Sequence, residues 1–402
     1  MGVGGDSSDA VDDSVLDNVD IVGAAAGGKL EFGGGDAAFG TDTTLKALGS
    51  FGITREYGTA ELMTNNGLIE AAGKTGTTFI IDALGFSNSG TLSVADGGTM
   101  EANAVTFSNL STAGGAVTLT GGVYDVGAKS VFAMLNFYTK KVLPIADLQA
   151  SVTLNGAGAT FTNIADLSTI GARGVLLIEN GAALTFGTNF TIDGYLHLAA
   201  SDSSAKTITV ASGGKLGGHG AVLGSVVNNG LIDAFLGTLS ISQNVTGSGL
   251  ARVDNTATLQ FGNDVAASQT VMFNGATGTI GIGFVAGFAA TIEDFAPGGV
   301  IDLINTAADT VSYSASADTL TIKGKGTLVD TLQLSGSYSG DIFALASDGK
   351  GGTDITVAAS AAAVHRFVEA VAASPSGGAL ATGSAGLFDS QILTPMLAAH
   401  HG

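Results

Sequence analysis

The chain has 402 residues, of which 62 are Gly and 4 are Pro, with no Cys, no Trp and a net charge of −20. The lack of Cys excludes a disulfide scaffold, a zinc–thiolate centre and cysteine catalysis, and scarce Pro without a Gly-X-Y period excludes collagen. With 15 Lys and Arg against 35 Asp and Glu, strong nucleic-acid binding is not expected, because phosphate contacts need cations. Residues 1–28 hold Asp6, Asp9, Asp12, Asp13, Asp17 and Asp20 without a single base, and read as a solvated acidic arm. They contain no basic or apolar run, so no cleavable signal peptide is expected. No apolar run long enough for a transmembrane helix occurs anywhere in the sequence.

From residue 29 to 270 the chain repeats itself. Asn65-Asn66-Gly67-Leu68-Ile69-Glu70-Ala71 returns as Asn228-Asn229-Gly230-Leu231-Ile232-Asp233-Ala234, with looser copies beginning at Asn88, Asn155, Asn180 and Gly249. Each copy is a turn pair followed by apolar/polar alternation, the mark of a strand with one buried face. The Asn-Gly pairs suit positions of positive φ. Gly67 lies 23 residues before Gly90, and Leu231 lies 19 before Leu250, so the unit fits one turn of a β-solenoid. One coil cannot bury its own apolar row, whereas stacked coils bury a continuous one. The expected fold is therefore all-β: a parallel β-helix with about 12 coils at roughly 20 residues each. Phe86, Phe107, Phe161, Phe186, Phe235 and Phe261 recur in or after the strand candidates and are expected to form an internal stack.

Three segments depart from the repeat. Residues 131–149 lack Gly and carry bulky side chains from Val131 to Pro144, which reads as an insertion packed on the solenoid or as a contact surface. Residues 271–358 form a terminal β unit. Within 359–402, Val364, Phe367, Val368 and Val371 fall at i, i+3, i+4 and i+7, which predicts a short amphipathic helix before a Gly/Ser/Ala-rich tail.

The turn–strand units around Gly67, Gly90, Gly181 and Gly230 resemble the passenger regions of bacterial autotransporter adhesins and related secreted β-repeat proteins. A sharper similarity lies in Ala290-Thr291-Ile292-Glu293-Asp294-Phe295, Gly299-Val300-Ile301-Asp302-Leu303 and Ser347-Asp348-Gly349-Lys350-Gly351-Gly352-Thr353-Asp354, which follow one another as in the terminal unit of such proteins. The resemblance covers residues 29–358. It implies an extracellular or cell-surface stalk that presents adhesive or structural surface, with self-association or a surface glycan as its partner. The sequence departs from the family in showing neither an N-terminal signal nor a C-terminal membrane barrel. A leaderless type I export route, with an uncleaved signal in the C-terminal helix and tail, is the expectation that follows.

Chemistry-bearing motifs are weak. Gly73-Lys74-Thr75 lacks the upstream glycine of a phosphate loop, Leu68 standing in its place. Gly281, Gly283 and Ala286 satisfy a dinucleotide fingerprint in letters only, since β-type sequence rather than a helix follows. Of His197, His219, His365, His400 and His401, only the terminal pair has a neighbour at ligand spacing, and His197 is expected to face solvent. Calcium is the one cofactor suggested. Gly349-Lys350-Gly351-Gly352-Thr353-Asp354 matches a calcium β-roll repeat once and imperfectly, making Asp348 and Asp354 candidate metal ligands, with a tight turn as the alternative. A β-helix polysaccharide lyase or glycosidase would need clustered carboxylates beside bases. Glu70, Glu101, Glu179 and Asp233 read as isolated, so no catalytic residue is assigned and a non-catalytic protein is expected. Its role is either an adhesin stalk or a self-assembling filament or surface-layer subunit.

Overall fold

A computed structural model describes residues 2–3, 14–32, 35–55, 62–95, 97–112, 116–186, 189–204 and 206–358. Alternating exposure along short strands, as in Leu68–Ala71, Ser225–Asn228 and Thr258–Phe261, sends every second side chain inward. Those inward residues stack from coil to coil. Leu45, Ile69, Leu92, Tyr124, Val152, Leu176, Leu196, Leu216, Ile232, Ala251, Val271 and Ile292 are successive partners in parallel register. Each is 1% exposed or less. The result is a β-solenoid of about 12 turns, 59% strand and 2% helix.

The coils are unequal. Leu92 and Tyr124 are one coil apart yet separated by 32 residues, whereas Leu216 and Ile232 are separated by 16. Core composition follows coil size. The wide coils enclose Tyr124, Phe132 and Phe161, whose ring centroids lie 4.7–5.6 Å apart. The narrow ones hold Leu, Ile, Val and Ala. A second row, Phe51, Phe79, Met100, Phe132 and Phe161, closes the opposite wall of the wide coils.

Polar side chains fill the corners of the interior. Asn65 Nδ2 donates to Asn88 Oδ1 (2.8 Å), Asn88 donates its backbone N–H to Asn109 Oδ1, and Asn109 Nδ2 donates to the Asn88 and Thr120 carbonyls. Further along, Asn228 Nδ2 donates to Gln269 Oε1 (2.9 Å) and Gln269 Nε2 returns a bond to the Asn228 carbonyl (2.9 Å). These bonds satisfy turn groups that would otherwise be buried unpaired. The glycines after them serve differently from the expected positive φ. A Cβ on Gly67 would lie 2.2 Å from the Thr43 carbonyl oxygen of the preceding coil, and one on Gly230 equally close to that of Ala211. Close backbone approach demands Gly there, while Asn180-Gly181 does adopt positive φ.

Several expectations change. The acidic arm is partly built into the solenoid, since Ser14–Leu16 pairs with Ala37–Phe39 and Asp20–Gly23 with Thr44–Ala47. Asp6, Asp9, Asp12 and Asp13 lie outside the described residues. The segment 131–149 begins as a rung, Val131–Asn136 pairing with Thr99–Phe107, and its bulk is core filling: Phe132 and Met134 are 1% exposed. Only residues 137–146 leave the ladder before Asp147–Asn155 resumes it. Residues 271–358 continue the unit that runs to Ala358. There the polarity switches. Thr291–Glu293 still pairs in parallel, with Thr327–Ser335, but Thr310–Ser314, Thr319–Gly324 and Thr327–Ser335 form an antiparallel meander. Val300–Leu303 pairs antiparallel with Thr353–Ala358, which pairs with Ile342–Ser347. These strands cover the C-terminal end of the parallel ladder. The expected helix with Val364, Phe367, Val368 and Val371 lies outside the described residues.

Candidate functional site

The outward row between two inward rows runs Lys46, Glu70, Ser93, Asp125, Thr153, Leu177, His197, Gly217, Asp233, Arg252. Stacking brings together carboxylates that are isolated in sequence. Glu70 meets Lys46 of the preceding coil at 2.9 Å. Asp233, 2% exposed, accepts two bonds from Arg252 (Nε 2.7 Å, Nη2 2.9 Å) and one from Lys215 Nζ (2.7 Å). Burial alone would raise its pKa; the hydrogen bonds and charges of Arg252 and Lys215 outweigh it and hold the carboxyl below the ordinary range.

Lys215 also lies over two rings, 5.3 Å from the Tyr195 centroid and 5.6 Å from that of Phe235. His197 is sandwiched between the same rings, at 5.9 and 5.4 Å with interplanar angles of 15° and 17°. Gly217 makes room for this cluster, because a Cβ would touch Phe235, Lys215 and Tyr195 at 3.1–3.3 Å. Phe235 therefore sits on the outer face rather than in the internal stack. The other expected phenylalanines are buried, Phe86 against Phe107, Phe161 in the wide-coil cluster and Phe186 against Phe190. His197 does not face solvent freely: its side chain is 16% exposed, and Nδ1 is 3.7 Å from Glu179 Oε1. Burial lowers its pKa more than Glu179 raises it, with His219 and Lys215 adding to the depression. Its Nε2 is buried without a hydrogen-bond partner.

Next to this cluster, over the wide coils, the same face is concave. A groove of about 420 Å³ crosses four consecutive coils, with Asp125, Thr153 and Leu177 along its floor and Asn155 and Glu179 beside them. Asp348 and Asp354 occupy the terminal strands. Asp348 Oδ1 accepts the backbone N–H groups of Lys350 (2.6 Å) and Gly352 (2.8 Å), which closes a turn and lowers its pKa. Asp354 is the register partner of Asp302. Burial raises the pKa of both, and mutual repulsion with Asp348 adds to it. Among the described residues, no group of three or more His, Cys, Asp or Glu is placed to hold a metal ion. No helix among them is long and apolar enough to cross a membrane.

A scan against protein-family models and a search of curated proteins found no match to this chain. Its class rests on the fold: a β-solenoid repeat protein.

Proposed function

We propose that the protein is a non-catalytic β-solenoid that acts outside the cell or at a bacterial cell surface, as an adhesive stalk rather than a filament subunit. The observation that favours the stalk is the antiparallel cap over the last parallel coil, formed by Thr310–Ser314 through Thr353–Ala358. An open ladder end offers unpaired strand groups to another copy, whereas a capped end withholds them. Electron microscopy of the purified full chain tests this reading. Isolated particles at all concentrations are expected; ordered filaments or sheets would make the protein an assembly subunit instead. Repeating the images in millimolar calcium and in chelator tests Asp348 and Asp354. Order that appears only with calcium, and is lost in Asp354→Asn, would place the ion there.

A further inference from the structure

We infer that the groove over the wide coils binds a neutral oligosaccharide laid along the stacking direction, a proposal that rests on the adhesive reading above. The groove's floor is one outward row, Ser93, Asp125, Thr153 and Leu177, one residue per coil. Asn155 and Glu179, register partners on adjacent coils, form a parallel row beside it. Coils repeat every ~4.8 Å, close to the advance of a sugar chain per ring. A linear glycan would thus meet a fresh hydroxyl, amide or carboxylate at each coil.

The lining decides among ligand classes. Backbone groups of these strands are already paired within the ladder, so a peptide could not be captured by strand addition. The residues lining the groove include no Lys, Arg or His, while Asp125 and Glu179 are both present, so nucleic acids and acidic glycans would meet like charge. Carboxylates, an amide and hydroxyls around one leucine suit the polar edges and apolar faces of a hexose. Beyond Leu177 the floor row leads to His197 and, beside it, Tyr195, which brings ring surface to the downstream end. Glu179 joins the two parts, because it lines the groove and also faces His197 Nδ1.

Calorimetry on the full chain with chito-, cello- and malto-oligosaccharides, and with oligogalacturonate, tests the assignment. One neutral series is expected to bind, more tightly as it lengthens to span the four coils. Asp125→Ala and Glu179→Ala should each weaken binding about tenfold or more, the loss expected for a hydrogen bond to a charged acceptor. Ala95→Phe, which fills the groove, should abolish binding while leaving the circular dichroism spectrum and Tm unchanged. The inference is overturned if no neutral series binds at millimolar concentration, if oligogalacturonate binds instead, or if binding survives all three variants. Filaments under the microscope would refute the stalk and leave a positive binding result standing. A bound oligosaccharide recovered in shortened form would support the groove and refute the non-catalytic reading.

Discussion

Asp233 is the single side chain whose removal should do most damage to the outer face. Its carboxylate is 2% exposed and holds two cations, Arg252 through a two-pronged pair and Lys215 through its ammonium. In Asp233→Ala these cations lose their acceptor and face each other. Breaking a fully buried pair from one side costs about 3–5 kcal/mol. Arg252 and Lys215 side chains are 29% and 34% exposed and regain water, so a loss of about 2 kcal/mol is expected. The sign with pH follows from the carboxyl's depressed pKa. The stabilisation is present above the ordinary value of 3.8 and is lost as pH falls through the lower folded value. Urea denaturation of wild type and Asp233→Ala, followed by far-UV circular dichroism and tyrosine fluorescence, should show a constant gap from neutral pH to about pH 5. The gap should close below 3.8. A gap under about 0.5 kcal/mol, the size typical of a surface change, would refute the reasoning, as would one that persists at low pH.

Asp302 should behave oppositely. Burial and the nearby Asp354 and Asp348 raise its pKa, so it favours the folded state below its unfolded value and opposes it as pH rises through the folded one. Asp302→Asn is expected to raise Tm at pH 7 and to lose that gain at pH 3, read by calorimetric scans. Gly218 has φ +108°, and a Cβ there would lie 1.9 Å from the Leu198 carbonyl oxygen and 2.6 Å from His197 Cδ2. Gly218→Ala should therefore cost more than about 1 kcal/mol and change the near-UV spectrum of the Tyr195–His197–Phe235 cluster; an unchanged spectrum would count against that packing. Asn228→Leu strands the buried Gln269 Oε1 and should cost about 2 kcal/mol in urea denaturation. Gln269→Leu in the same background should recover part of that loss.

Repeat units were legible because they carry register. The 23-residue step from Gly67 to Gly90 is the step that pairs Leu68 with Thr91, and Leu231 does lie against Leu250. Coil size was not legible: alternation marks which residues point inward, and says nothing about how much chain the connecting corners consume. That is why 131–149 reads as foreign to the repeat although Phe132 and Met134 occupy core rows. The Asp233–Arg252 pair had a signal in the sequence, since its 19-residue separation equals the Leu231–Leu250 step. Any charge pair at that offset in successive copies must be a register partner. Lys215 gave no such sign, because its coil is only 16 residues long. The groove is a product of several unequal coils stacked together and has no local signature.

Unequal coils also explain why the outer face is chemically divided. A wide coil can take aromatic residues inside, and Tyr124, Phe132 and Phe161 are packed there. A coil of 16–19 residues leaves room for Leu216, Ile232, Ala234 and Ala251, all 1% exposed or less. Phe235, on such a coil, is displaced outward and finds its apolar contact on the surface over Gly217, between His197 and Lys215. Its neighbour Leu236 takes φ +61° and is 81% exposed, a conformation that turns the chain away after Phe235. Narrowing of the solenoid thus puts aromatic surface outside at one end of the row, while the wider coils leave a polar concavity at the other. Replacing Gly217 by Val would deny Phe235 its seat. If the outer cluster exists because the narrow interior excludes that ring, Phe235→Ala should cost less than the ~3–5 kcal/mol of a core phenylalanine, and Phe132→Ala should cost that full amount. Equal losses in the two variants would mean that Phe235 is core after all.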